Sequence, residues 1–157
     1  MPETRQDQTD PRIVQITIFL PNRLGALRQA VQRLEMAQVR ILGLIVMDSS
    51  DHAVVRTVVD RPAKAMAALR DSGYGACESE ILCVQVPVGG SSHIQKVLGA
   101  LVGAEVNIMY VYVLLARIEG HGLLALQTDD SASAERVLRE RGFSLAHQDD
   151  LGDASDA

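Results

Sequence analysis

The feature that most constrains this 157-residue chain is that it contains one unit twice. Asp60–Tyr74 (DRPAKAMAALRDSGY) set over Asp129–Phe143 (DDSASAERVLRERGF) gives six identities, and Tyr74 meets Phe143. An earlier stretch matches with a slightly different offset: Leu34, Ala37, Val39 and Ile41 fall on Leu101, Ala104, Val106 and Ile108. The offset drifts from 67 to 69, so the second copy carries two extra residues between its central strands. A duplicated unit of this length is one supersecondary motif built twice, and its copies are expected to bury apolar surface against each other.

Each copy reads strand, helix, strand, strand, helix, strand. Ile13–Leu20 alternates Val14, Ile16, Ile18 and Leu20 with Gln15 and Thr17, the pattern of a half-buried strand. A turn follows at Pro21–Gly25, then Leu24, Leu27, Val31 and Leu34 recur at helical spacing. Val39–Met47 and His52–Val59 read as strands across a polar turn. Asp60 and Pro62 suit a helix start and Gly73 its stop, with a last strand from Tyr74 to about Ser79. In the second copy the strands fall at Ile81–Val86, Val106–Ala116, His121–Thr128 and Phe143–His147. Its helices are marked by Ile94, Leu98 and Leu101 and by Ser131–Arg141. A βαββαβ order predicts an α+β fold of two ferredoxin-like repeats, each an antiparallel sheet with its helices on one face. The repeats are expected at 13–80 and 81–148, between a disordered N-terminus (1–12) and an acidic disordered tail (149–157).

Val106–Ala116 is apolar on both faces, with Ile108, Tyr110 and Tyr112 on one and Met109, Val111 and Val113 on the other. Helices cover one face, so the other must meet a second sheet from the other copy or another chain. From this a homodimer is expected.

Charge and length exclude several classes. The net charge of −5 sits at the ends, leaving 13 acidic and 13 basic residues between Ile13 and Gln148. A neutral body with three tyrosines, two phenylalanines and no tryptophan offers nucleic acid little phosphate-binding or stacking surface. The longest uncharged apolar run, Ile108–Ala116, is about half the ~20 residues needed to cross a bilayer. The start of the sequence shows no charged region followed by an apolar one, so a cytoplasmic protein is expected, with no membrane partner. Cys77 and Cys83, six residues apart on extended chain, lie on the order of 20 Å from each other, beyond the ~6 Å of a disulfide. They are expected as buried, reduced thiols. The histidines at 52, 93, 121 and 147 have no ligand spacing, so neither metal nor cofactor is expected.

The duplicated unit, with Asn22-Arg23-Leu24-Gly25-Ala26-Leu27 after its first strand, resembles the ACT domain family, most nearly tandem-ACT proteins that bind free amino acids. Gly89-Gly90-Ser91-Ser92 in the second copy and the strand Asn107-Ile108-Met109-Tyr110-Val111-Tyr112 carry the same likeness. It implies a small regulator that senses a free amino acid between the repeats and acts on an enzyme or transcription partner in another chain. It further implies a site where Asn22–Leu27 faces Asn107, Ile108 and Tyr110. A second, weaker site pairs Gly89–Ser92 with Arg40, Ile41 and Leu42. The chemistry is reasonable independently of the family: a helix N-terminus suits a carboxylate, Gly25 admits close approach of backbone, and an asparagine oxygen accepts from an ammonium. Copy one has Arg23-Leu24 where relatives often carry a proline, and copy two lacks the turn asparagine. Two other readings stand beside this one. Asn22 can instead cap the first helix, and the chain can be a scaffold that only oligomerises or docks. An enzyme on the same fold, such as an acyl-phosphate hydrolase using Arg23, lacks an acid–base partner for that arginine.

Overall fold

In the computed structural model, residues 12–152 and 155–156 are described. The first repeat comprises β1 (Arg12–Pro21), α1 (Ala26–Met36), β2 (Ile41–Asp48), β3 (His52–Val59) and α2 (Pro62–Asp71). The long β4 (Gly75–Val86) joins it to α3 (Ser91–Gly103), β5 (Ile108–Ile118), β6 (His121–Thr128) and α4 (Ser131–Glu140). A short α5 (Gln148–Gly152) and a two-residue β7 (Ser155–Asp156) follow. All strand pairs are antiparallel, in the order β2-β3-β1-β4-β6-β5-β7.

The boundary expected near residue 80 falls inside β4, one continuous strand that serves both repeats. Residues 75–82 pair with β1 and 82–86 with β6, on opposite edges. This explains a correction in the second repeat. The closing strand expected at Phe143–His147 is reduced to one bridge, Leu145 opposite Val84. Its two hydrogen bonds are Gln85 N–H to Ser144 O (2.9 Å) and Ala146 N–H to Cys83 O (2.8 Å). β1 occupies that edge of β4 as far as Leu82, so only a stub of edge remains.

Three apolar clusters hold the chain. One lies under α1 and α2, built on Ile16, Ile18, Leu20, Leu34, Val55 and Leu69. A second lies under α3 and α4, built on Leu82, Val84, Val97, Leu101, Leu124 and Leu138. The third lies between the repeats: Ile13, Leu42, Val58 and Ile81 meet Tyr112, Leu114, Ala116 and Leu123. β2, at one end of the strand order, and β5, next to the other end, are thereby laid face to face. A side chain at Gly43 would run into Leu114, whose Cα lies 3.2 Å from the ideal Cβ position. The second face of β5 is therefore covered by the other repeat, and the inference of a dimer from that face does not follow. Met109, Val111, Val113 and Leu115 are the exposed set, because β5 lies at the sheet margin beyond the reach of the helices.

Several local expectations shift for the same reason. The polar side of β1 is not solvated: Gln15 is fully buried and Thr17 nearly so, since both face the second repeat. α1 buries Ala26, Ala30 and Leu34, whereas Leu24 precedes the helix and is fully exposed. Asp60 does not cap α2, whose N-cap is Arg61 with Pro62 in the first turn. It instead accepts the Arg40 N–H at 2.8 Å. Residues 149–152, expected as disordered tail, belong with Gln148 to a helix whose Leu151 is wholly buried in the inter-repeat cluster. The Gln148 side chain ties it down, accepting the Val14 N–H (3.0 Å) and donating to Val59 O (3.2 Å). The N-terminal expectation for 1–11, and the tail at 153, 154 and 157, lie outside the described residues. Both cysteines are free, and Cys77 is exposed rather than buried.

Candidate functional site

The first repeat's turn is shaped by its backbone. Arg23 N–H bonds Pro21 O (2.9 Å), Ala26 N–H bonds Arg23 O (3.2 Å), and Gly25 caps α1 at φ 84°. An added Cβ at Gly25 would meet nothing within 4 Å, so the left-handed φ, not lack of space, calls for glycine. Asn22 does not cap α1. Its Nδ2 donates to Asp48 Oδ1 at 3.3 Å, tying the turn to the end of β2. Arg23 donates to Gln29 Oε1 (3.2 Å). Of the six residues 22–27, only Ala26 is buried. Behind α1, Leu27, Val31, Leu44 and their neighbours close the space to a cavity of about 10 Å³.

Of the residues expected opposite that turn, Tyr110 is engaged by its side chain and Asn107 by its backbone N–H. Asn107 is exposed, and its N–H is taken by Asp129 Oδ1 at 2.9 Å, as Arg40 N–H is by Asp60. Tyr110 belongs to the inter-repeat interface. Gln15 Nε2 donates to its hydroxyl (2.7 Å) and to Ser79 Oγ (3.1 Å), while Gln15 Oε1 accepts from Tyr112 (2.7 Å). The Arg56 guanidinium sits 4.5 Å from the Tyr110 ring centre, and the two tyrosine rings stack at 6.4 Å. Burial, reinforced by the neighbouring Tyr110, pushes the Tyr112 phenol above its ordinary range. These groups lock the two repeats together, and the tyrosine hydroxyls are spent on Gln15.

The second repeat's turn is built differently. Gly89 takes φ 110° and Gly90 caps α3 in an extended conformation. Beside this turn lies a cavity of about 310 Å³. One wall is the turn itself, Val86–Gly90, with Ile94 of α3. The other is the β5–β6 hairpin, through residues 113–117 and 122–124. Gly89 and Gly90 thus line it as expected, and Ser91 and Ser92 begin the adjoining helix, whereas Arg40 and Ile41 are not part of its wall. No sequence motif marks Val113, Leu115, Arg117 or Gly122 as cavity residues. The one trace of them in the sequence is the two-residue drift between the copies. In the hairpin, Leu114 pairs with Leu123 and Arg117 with Gly122, so Leu115 and Ala116 are the extra pair, held in a bulge. Bulges of this kind redirect side chains at the edge of a sheet, and this one supplies a cavity wall.

No group of three or more His, Cys, Asp or Glu able to hold a metal occurs among the described residues. No described helix is long and apolar enough to cross a membrane.

Comparison with known proteins gives the class. The chain belongs to the ACT domain pair family, whose pattern it matches over residues 12–154. Among solved structures, the chain is similar to protein BT0572 from Bacteroides thetaiotaomicron. That match has 24% identity and a TM-score of 0.81, covering 90% of this chain and 96% of that one. It also shares its fold with the regulatory subunit of aspartate kinase from Thermus thermophilus: 15% identity, TM-score 0.58, covering 82% and 92%. The corresponding Thermus flavus subunit gives 19% identity and 0.56, covering 81% and 90%. No functionally curated protein matches the sequence.

Proposed function

We propose that this ACT domain pair is a cytoplasmic regulatory module without catalytic activity of its own. It binds a free amino acid and alters its association with itself or with an enzyme or transcription partner. The observation that carries the reading is the cavity of about 310 Å³ at the second repeat's turn, at the small end of the roughly 300–1,000 Å³ range of ligand pockets. The binding site is placed there rather than at Asn22–Leu27, where Asn22 is tied to Asp48 and Tyr110 to Gln15. The aspartate kinase regulatory subunits of the same fold make a regulated enzyme a natural partner class. A homodimer is retained on a new ground: Met109, Val113 and Leu115 stand more than 60% exposed along β5, whose outer edge, among the described residues, pairs at Ala116 and Arg117 alone.

The test is a thermal-shift panel of the twenty amino acids at millimolar concentration. A ligand at 100 times its Kd stabilises by about 2.7 kcal/mol, a rise of several degrees in a domain of this size. One hit or a related group supports the sensor reading. Silence across the panel leaves the scaffold reading in its place. In the same preparations Met109→Glu should shift sedimentation toward the monomer, and an unchanged species would remove β5 from the interface.

A further inference from the structure

After α4 the chain crosses between the repeats once more. Residues 144–146 still belong to the second repeat, where Ser144 O accepts the Gln85 N–H and Ala146 N–H bonds Cys83 O, both on β4. Gln148 then reaches the first repeat. The last β1–β3 pair is Gln15 with Val58, so Val14 and Val59 stand one step beyond it. The Gln148 carboxamide bridges these two as a peptide group would, accepting the Val14 N–H and donating to Val59 O. Leu151 enters the cluster in which Ile13, Val58 and Ile81 meet Tyr112, Leu114 and Leu123. β7 afterwards returns to the second repeat and pairs with Ala116 and Arg117.

We infer that α5 is a releasable strap: docked, it clamps the two repeats face to face, and released, it lets that face open while each repeat keeps its own sheet and helices. Three observations carry this. First, α5 has five residues, little more than one turn, and a helix so short does not persist in water by itself. It is ordered where its side chains are received, so its folding and its docking are one event. Second, no pairing among β1–β6 runs through it, so its departure breaks no rung of the sheet. What it leaves is a leucine-sized gap between the repeats and two backbone groups, Val14 N–H and Val59 O, without the amide that bridged them.

Third, the fold has a way to answer that gap. A close-packed face that loses a buried leucine loses contacts on every side of it, and these return only if the surroundings move. Here β2 and β5 face each other without strand pairing, and the repeats share β4. Leu82 pairs with Arg12 of β1 and with Leu126 of β6, so the two halves swing about this strand rather than part. The segment that clamps the face also meets the cavity wall, since Ala116 and Arg117 line it.

Cys83, wholly buried in the clamped cluster, reports the opening in the full-length chain. When closing outpaces labelling, its rate with Ellman's reagent follows the population of the open form. In the unaltered protein it should react slowly, yet faster than the chain unfolds. Gln148→Ala removes both hydrogen bonds and leaves Leu151, and should speed Cys83 by about tenfold. Leu151→Ala should speed it by about a hundredfold, with helix content by circular dichroism unchanged in both variants. Met66→Ala, in the core under α1 and α2, lowers overall stability but should leave the Cys83 rate within about twofold, because release of the strap is a local event. Two results would overturn the strap. If Met66→Ala speeds Cys83 in proportion to its loss of stability in urea, as the strap variants do, the thiol is reached by global unfolding alone. If neither Gln148→Ala nor Leu151→Ala changes the rate, α5 does not hold the face closed.

Discussion

At the ends of their helices the two repeats carry the same hydrogen bonds; at the turn after the first strand they diverge. α2 ends at Gly73 (φ 80°) with Tyr74 N–H on Leu69 O, and α4 ends at Gly142 (φ 84°) with Phe143 N–H on Leu138 O, both at 3.0 Å. The first helices stop alike too: Gln38 and Glu105 both sit at φ 57°, and Val39 and Val106 bond Leu34 and Leu101 at 3.0 Å. Even the aspartate latch is repeated. Asp60 and Asp129 accept the N–H of Arg40 and Asn107, and each returns its own N–H to that residue's carbonyl at 3.1 Å. Such positions close a chain that must reverse, and few residue types satisfy them. The turns bear no such constraint. In one, Asn22 is bonded to Asp48; in the other a longer hairpin stands away from Gly89-Gly90 and leaves a cavity. Duplication here has kept what folds the unit and varied the turn and the hairpin that line the cavity.

The sharpest way to break the symmetry is at the contact between the repeats. Gly43 lies against Leu114, and its Cβ would also meet Val113 O at 3.4 Å. Gly43→Leu forces β2 from β5 and should cost about 3 kcal/mol, because its Cβ runs into the Leu114 side chain and stands 3.2 Å from the Leu114 Cα, which leaves no room for the rest of the new side chain. Calorimetry should show a melting temperature lower by on the order of 10 °C. A loss under 1 kcal/mol would mean the repeats are not held face to face at this point.

The aspartate latches give a finer comparison, since the same bond is made in two settings. The Asp60 side chain is 13% exposed and lies 3.8 Å from Arg61, whereas Asp129 is exposed. A charge-assisted hydrogen bond is worth about 1.5–3 kcal/mol where water is excluded and less where it is not. Asp60→Ala should therefore destabilise more than Asp129→Ala in urea titrations. Equal losses would show that solvent reaches both latches alike.

The overall fold was legible because the repeat exposes it. Gly73 and Gly142, Asp60 and Asp129, and the apolar pairs from Leu34/Leu101 to Ile41/Ile108 fix where elements start and stop. What the sequence hid was which surface faces what. Gln15 and Thr17 read as solvated because alternation shows that two faces differ, not that one is wet; the second repeat covers them. Leu151 lies in an acidic segment whose composition points to solvent, yet this single buried side chain pins the helix. The cavity was half visible. Gly89 and Gly90 were singled out, but Val113–Arg117 were read only as strand, because an offset drift locates an insertion no better than the hairpin that contains it. The amides of Asn22 and Asn107 suit an ammonium and the family resemblance adds Tyr110, but packing engages Asn22 and Tyr110 elsewhere.

The smallest effect separates two thiols on a single strand. Cys77 and Cys83 lie on the same side of β4, six residues apart, one beside the first repeat and one inside the inter-repeat cluster. Cys77 is exposed; Cys83 is wholly buried, and burial pushes its thiol well above its ordinary value of 9.0. A thiol must ionise and be reached before it can attack a disulfide reagent. At pH 8, Ellman's reagent should titrate one thiol per folded chain and two in guanidinium chloride. The pH dependence has a definite sign. The folded-state pKa of Cys83 is raised, so its contribution to stability is full below about pH 9 and is lost as pH rises, when the unfolded chain ionises first. A second thiol reacting quickly in the native protein would mean that the repeats separate readily. The face-to-face contact would then be a mobile joint, whereas slow reaction at the global unfolding rate would make the two repeats one cooperative body.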